Sequence, residues 1–291
     1  MVKKAENFPQ LPTDSFERTP TSAIDMPDET TPEDLNEATE VRCYFVRNRN
    51  ALAVRANFES LYVDYYLHLM EHRIRHEPGH DALLKDGLAA LTLHLASRPR
   101  NEAAAWTIHL ANPSLNLFVT GSNRNQNVTG RIFSENVRET DRNLFFSQTT
   151  ADGLPARQST IEFEDADIFS AVEAFYRQSE QRPARYFRHD EEDFVMVTAQ
   201  PDCDMPWFLT LDDDSIRKLD ETEELSLLER RLFRFECGCD IDRIYPVIAS
   251  MSEATIDEIF AGEGTAIADC PRCGAHYDIT REGLREFRRP G

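Results

Sequence analysis

Four cysteines near the C-terminus carry the clearest chemistry in the chain. Cys237 and Cys239 lie one residue apart in "FECGCDIDRI". Cys270 and Cys273 lie two apart in "ADCPRCGAHYDIT", thirty residues further on. Structural zinc takes four soft ligands in a tetrahedron. Two short-range cysteine pairs supply two edges of it, if the intervening segment brings them together. Pro271 stiffens the second loop, and Gly274 permits a tight or left-handed turn after the last thiol. The pattern predicts a Zn2+ site made by Cys237, Cys239, Cys270 and Cys273. Rival readings are a thioredoxin-like CxxC, which needs a βαβ unit not visible here, replacement of one thiolate by His276, and chance clustering. Cys43 and Cys203 have no sequence partners and are read as ordinary residues.

The segment between the pairs must fold to bring them together. Ile244, Val247, Ile248 and Met251 follow a helical spacing. Ser252 can cap a second helix with Ile256, Ile259 and Phe260 inward, ended by Gly262. "TAIAD" and "AHYDIT" suit the arms of a hairpin around the second cysteine pair. In so small a module a metal is part of the folding free energy.

Upstream, residues 41–187 read as an independent core. "VRCYFVRNRNALAVRANF" is strand, turn, strand, and "FESLYVDYYLHLMEH" and "DALLKDGLAALTLHLAS" are two helices separated at Pro78-Gly79. "AWTIHLANPSLNLFVTGSNRNQNVTGRIF" reads as three strands, and "NLFFSQTTADGLPARQSTIEF" as a hairpin turning near Gly153. Asp167 can cap a helix holding Ile168, Val172, Phe175 and Tyr176 on one face. Strands and helices come in separate runs, which predicts an α+β fold. Residues 188–234 are acidic and moderately apolar. They read as a linker ordered only by what it leans on, with its second part helical and with Phe194, Val195, Trp207, Phe208, Leu227, Leu228 and Leu232 available for packing or for contact with other proteins. Residues 235–291 form the zinc module. Residues 1–40 hold five prolines and ten acids against three basic residues and read as a disordered arm.

The formal net charge of −20 opposes binding to nucleic acid or anionic lipid. The start has no apolar secretory segment, and no apolar run reaches membrane-spanning length, so the expectation is a reducing cytoplasm. "HEPGH" (His76 to His80) matches a metalloprotease string, but Pro78 and Gly79 oppose the helix that chemistry requires. The four-residue spacing of His68, His72 and His76 reads as a solvated helix face. The sequon at Asn127 reads as chance. There is no Gly-rich phosphate loop and no convincing Ser/His/Asp set, so the chain is not expected to be an enzyme.

The C-terminal "FECGCDIDRI", "ATIDEIF" and "GEGTAIADCPRCGAHYDI" resemble the Hsp33 redox-regulated chaperones in ligand spacing, intervening helices and the aromatic Tyr277. "AVEAFYRQSEQRPARYF" (171–187) is similar to the segment that ends that family's core. "LNLFVTGSNRNQNVTGRIF" is similar to its sheet strands. The resemblance implies an ATP-independent holdase that binds unfolded or partly unfolded client proteins under oxidative stress. It implies zinc release on oxidation, disulfides Cys237–Cys239 and Cys270–Cys273, unfolding of linker and module, and an oxidised homodimer. Against the family pattern, only eleven residues separate "EEL", ending at Leu225, from Cys237, and the N-terminal arm is extra. The alternative reading is a zinc-stabilised adaptor that binds one fixed partner without redox switching.

Overall fold

The computed structural model of the chain describes residues 38–138 and 140–288. The expected N-terminal arm lies almost entirely outside them. Strands β1 (Thr39–Val46) and β2 (Ala51–Asn57) form a hairpin, with Asn48 and Asn50 at positive φ in its turn. Asparagine tolerates that conformation better than most side chains. Helices α1 (Glu59–Glu71) and α2 (Pro78–Ala96) follow. Then come β3 (Glu102–Ala111), β4 (Ser114–Ser122), β5 (Asn127–Phe133), β6 (Asn143–Ala151) and β7 (Arg157–Phe163). Helix α3 (Ile168–Phe175) starts where the Asp167 carboxylate accepts the Ser170 N–H at 2.7 Å, and it runs into a π turn, Tyr176–Glu180. Strands β8 (Ala184–Arg188) and β9 (Asp193–Ala199) complete this part of the chain.

Together with β10 (Leu225–Phe235), these strands form one ten-stranded sheet, in the order β7-β6-β3-β4-β5-β10-β1-β2-β9-β8. Helix α2 is buried against one face. A Cβ on Gly130 of β5 would stand 2.6 Å from the Phe118 carbonyl and 2.8 Å from Val119 Cγ1, so only glycine fits this close approach. The main core gathers Trp106, Phe145, Phe175, Tyr176 and His94, with the Phe145 and Phe175 rings stacked 4.9 Å apart.

The segment 188–234 differs from its expectation as a loosely held linker. Strand β9 lies within the sheet, and β10 (Leu225–Phe235) is a strand where a helix was expected. β10 pairs antiparallel with β1, and at its end Arg234 and Phe235 pair in parallel with Asn127 and Val128 of β5. Between β9 and β10 run three short helices, α4 (Met205–Thr210), α5 (Asp213–Arg217) and α6 (Leu219–Thr222). Phe208, Leu211, Ile216 and Leu219 pack there on Val46, Ala53, Val195 and Val197 to form a second core. Arg49, in the β1–β2 turn, bonds Asp204 at 2.6 Å and Glu223 at 3.0 Å, tying both ends of this helical stretch to the hairpin. Phe194, Val195 and Phe208 are therefore buried rather than available. Leu227 and Leu228 are exposed.

Beyond β10 lie α7 (Ile241–Ala249), α8 (Glu253–Phe260), β11 (Thr265–Asp269), β12 (His276–Thr280) and α9 (Arg281–Phe287). Ser252 caps α8 as expected, its hydroxyl accepting the Thr255 N–H. Ala261 takes the left-handed conformation at the helix end. Ile248, Ile256, Phe260, Ile279 and Leu284 make a small core of their own.

Candidate metal centre and its attachment to the sheet

The first cysteine pair leaves directly from the sheet. The Glu236 N–H donates to the Val128 carbonyl at 3.0 Å, and the Asn127 side-chain amide donates to the Glu236 carbonyl at 3.2 Å. Asn127, the sequon residue, is thus a sheet residue with an occupied side chain. Gly238 turns at φ +65 between Cys237 and Cys239, and the Arg243 guanidinium holds its carbonyl at 2.6 Å. The Asp240 carboxylate then caps α7. The second pair sits in the loop of the β11–β12 hairpin. There the Cys270 N–H donates to the Ala275 carbonyl at 2.8 Å, and the Gly274 N–H returns to the Cys270 carbonyl at 2.9 Å. Gly274 has φ +77, in the region that favours glycine.

These two turns place four sulfurs within 4.8 Å of one another, the one such cluster of metal-ligating groups among the described residues. Cys237 Sγ lies 3.7 Å from Cys270 Sγ, and Cys239 Sγ lies 3.4 Å from Cys273 Sγ. A tetrahedron with Zn–S bonds of about 2.3 Å has sulfur–sulfur edges of roughly 3.8 Å. The donor set and its spacing therefore fit zinc. His276 is outside the cluster; its Nδ1 donates to the Asp269 carboxylate at 2.6 Å. Cys270 and Cys273 are buried, while Cys237 and Cys239 are partly open along a groove of about 760 Å³ that also meets Leu67, His68 and Tyr277.

The four thiols perturb one another. Hydrogen bonds from Cys237, then Cys239 and Cys273, hold Cys270 far below the usual thiol range. Cys239 is lowered to about 7, first by Cys237, with the Tyr277 hydroxyl contributing. Cys237 is raised chiefly by its hydrogen bond to Cys239, and Cys273 chiefly by that to Cys237. Cys239 and Cys270 thus carry thiolate character, the form that binds metal and reacts with oxidants. The remaining cysteines differ. Burial pushes Cys43, on β1, up to about 11, and burial also raises Cys203.

Core residues reach this centre in a way the sequence did not indicate. His68 of α1 donates from Nε2 to the Cys273 carbonyl at 3.2 Å, and His72 from Nδ1 to the His276 carbonyl at 3.3 Å. The expected solvated histidine face is instead turned toward the cysteine module. His76 does not continue it, because α1 ends at Glu71. Glu77 is the N-cap of α2, with Pro78 in its first turn, so the HExxH string makes no shared helical face. Arg131 of β5, lying over the Phe133 ring, donates to the Cys270 carbonyl at 2.9 Å. Tyr277 donates to the Cys239 carbonyl at 2.9 Å and lies within 3.2 Å of its sulfur. The four-residue spacing of His68 and His72 was visible in the sequence. Nothing marked Arg131, whose partner is a backbone carbonyl.

Comparison with known proteins agrees with this geometry. The family model described as Hsp33 protein matches residues 188–280. A 33 kDa chaperonin of Pectobacterium atrosepticum is 23% identical over 171 residues, covering 50% of this chain and 58% of that protein. That of Geobacter sulfurreducens is 34% identical over 62 residues, 21% of each chain. That of Bacillus pumilus is 35% identical over 66 residues, 23% of each. The chain spans little more than half the length of the first of these relatives. The crystal structure of a Thermotoga maritima 33 kDa chaperonin, an Hsp33 homologue, superposes with a TM-score of 0.66. At 10% sequence identity it covers 86% of this chain and 97% of that one, and so shares the fold. The resemblance to Hsp33 read from the cysteine motifs holds, as does the α+β architecture.

Proposed function

We propose that this Hsp33-like chain is a redox-gated, ATP-independent holdase whose switch is the four-sulfur centre. The observation that carries the reading is the gathering of the Cys237, Cys239, Cys270 and Cys273 sulfurs within 4.8 Å of one another at the end of the strand that joins the sheet's two halves. Bound there, Zn2+ would hold the four thiolates together and add folding free energy to the module. Each oxidation is a two-electron step. A thiolate displaces hydroxide from hydrogen peroxide and becomes a sulfenic acid. A second thiolate then attacks that sulfur, forming the S–S bond and releasing a second hydroxide. Two such events consume all four ligands.

The expected pairs are Cys237–Cys239 and Cys270–Cys273, as the family resemblance implies. Losing the shared centre removes the strongest tie between the β11–β12 loop and the start of α7, leaving the Tyr277 and Arg272 hydrogen bonds to the Cys239 and Cys237 carbonyls. The small core behind it, five fully buried side chains, has little else to hold it. The released segments and the outer face of α1 would then meet unfolding clients. That face already presents Val63, Tyr66, Leu67 and Met70, the last 75% exposed. The setting is a reducing cytoplasm, and homodimerisation accompanies oxidation.

One observation favours the fixed-partner adaptor instead. Residues 188–234 are woven into the sheet and tied down by Arg49, which suits a surface that does not unfold. Light scattering of an unrelated heat-labile client separates the two. A holdase suppresses aggregation only after treatment with peroxide and mild heat. Equal behaviour of the reduced and oxidised protein would reject the switch.

A further inference from the structure

We infer that His68, His72 and Arg131 form a clamp by which the core senses whether the four-sulfur centre is closed, an inference about regulation that rests on the redox reading above. All three acceptors are backbone carbonyls of the Cys270–His276 loop, namely those of Cys270, Cys273 and His276. His68 lies on α1, His72 caps its C-terminus and Arg131 lies on β5. The loop fits closely against them. A Cβ on Gly274 would lie 3.5 Å from Ile74 Cδ1 and 3.7 Å from Arg131 Nε. Tyr277 extends the contact, its ring 5.4 Å from that of His72 and its hydroxyl on Cys239. Through Tyr277 the clamp touches both cysteine pairs.

The acceptors exist as a set only while the loop is closed. The carbonyls of Cys270 and Cys273 face the core donors, and the Cys270 carbonyl also accepts the Gly274 N–H at 2.9 Å, which closes the turn that presents them. Charge reinforces this. Four thiolates around a divalent cation carry a net charge of −2, whereas two disulfides carry none. Arg131 is the core's cation against this loop, and Arg272 supports the other side through the Cys237 carbonyl at 2.9 Å. Oxidation therefore removes the field that Arg131 answers and the tie to the first cysteine pair that seats the loop. The His68 ring also packs 5.2 Å from that of Phe235, the last residue of β10. A released clamp is thus felt at the strand that joins the two halves of the sheet.

Hydrogen exchange on the full reduced, zinc-loaded chain tests the clamp, with zinc content and tryptophan fluorescence as controls. Arg131→Met and His68→Leu should keep about one zinc per chain and a native core signal. Amides of residues 265–280 should exchange at least about tenfold faster than in the parent. His68→Gln retains a side-chain N–H at similar reach and should restore protection, which packing alone would not predict. Wild-type protection of the loop in Arg131→Met overturns the clamp, as does failure of His68→Gln to improve on His68→Leu. The exchange readout uses no client. If the parent never gains holdase activity on oxidation but Arg131→Met still frees the loop, the redox reading fails and the clamp stands. If the parent is oxidation-gated but the variant loop stays protected, the clamp alone fails.

Discussion

At the scale of single residues, the four thiols are defined by their neighbours as much as by one another. Removing one ligand leaves three thiols that no longer complete a tetrahedron. Reduced protein is expected to hold about one zinc per chain through sulfur, read by metal analysis and X-ray absorption. Cys237→Ser should lose most of it while the core stays folded. After oxidation, peptide mapping should find Cys237–Cys239 and Cys270–Cys273; a dominant Cys43–Cys203 bridge would place the switch elsewhere. A second residue, His94, sets a pH response. Burial first, and the nearby Arg98 charge second, hold its imidazole well below the ordinary 6.5. The ring is neutral and is bonded at 2.7 Å to the Tyr176 hydroxyl. Above pH 6.5 neither the folded nor the unfolded chain protonates it. Below that value the unfolded chain binds a proton that the native core excludes, so stability falls as pH falls. The melting temperature followed by tryptophan fluorescence should drop between pH 7.5 and 5.5. In His94→Gln the drop should be shallower; an equal slope would remove His94 from the account.

At the scale of elements, β10 bears the most. Phe235 is buried between the Tyr65 ring at 5.4 Å and the His68 ring at 5.2 Å, and it is itself paired with Val128 of β5. Phe235→Ala should cost about 3–5 kcal/mol, the range for a large aromatic removed from a core, and should loosen the attachment of Cys237. Denaturant melts check the first effect and limited proteolysis near residue 236 the second. This strand also shows where sequence reading stops. The strands and helices from Val41 to Tyr176 were legible because their apolar residues alternate or recur at helical spacing. In "LSLLERRLFRF" the buried positions are Arg231, Phe233 and Phe235. Placing arginine on the inward face hides the alternation, and Leu227, Leu228 and Leu232 imitate a helix. Arg231 is accommodated by the Leu95 carbonyl at 3.2 Å and by Glu229, partners far away or on its own strand. The secondary structure of the cysteine module was legible to its caps, because its turns and helices are all local. Its docking on α1 and β5 was not, since carbonyl acceptors leave no trace in side-chain spacing.

At the scale of the whole molecule, the structure divides the expected response to oxidation into unequal parts. Residues 188–234 no longer act as one unit, because β9 is an inner strand while α4 to α6 lie on the sheet's outer face. Segments held by few buried contacts open first. Hydrogen exchange on oxidised protein is expected to show protection lost across 236–288 and reduced across 203–224, with β9 and β3 to β6 still protected. Collapse of β9 together with the module would show that oxidation melts the sheet itself. The same topology has a consequence for biosynthesis. The strands of both half-sheets are complete by Ala199, yet β10, the strand between β5 and β1, ends only at Phe235. A chain emerging from the ribosome therefore carries two open strand edges, each able to pair with a stranger, until the last residues before the first cysteine pair have been made. The nascent protein passes through an interval in which it is itself a substrate for the kind of protection it is proposed to give.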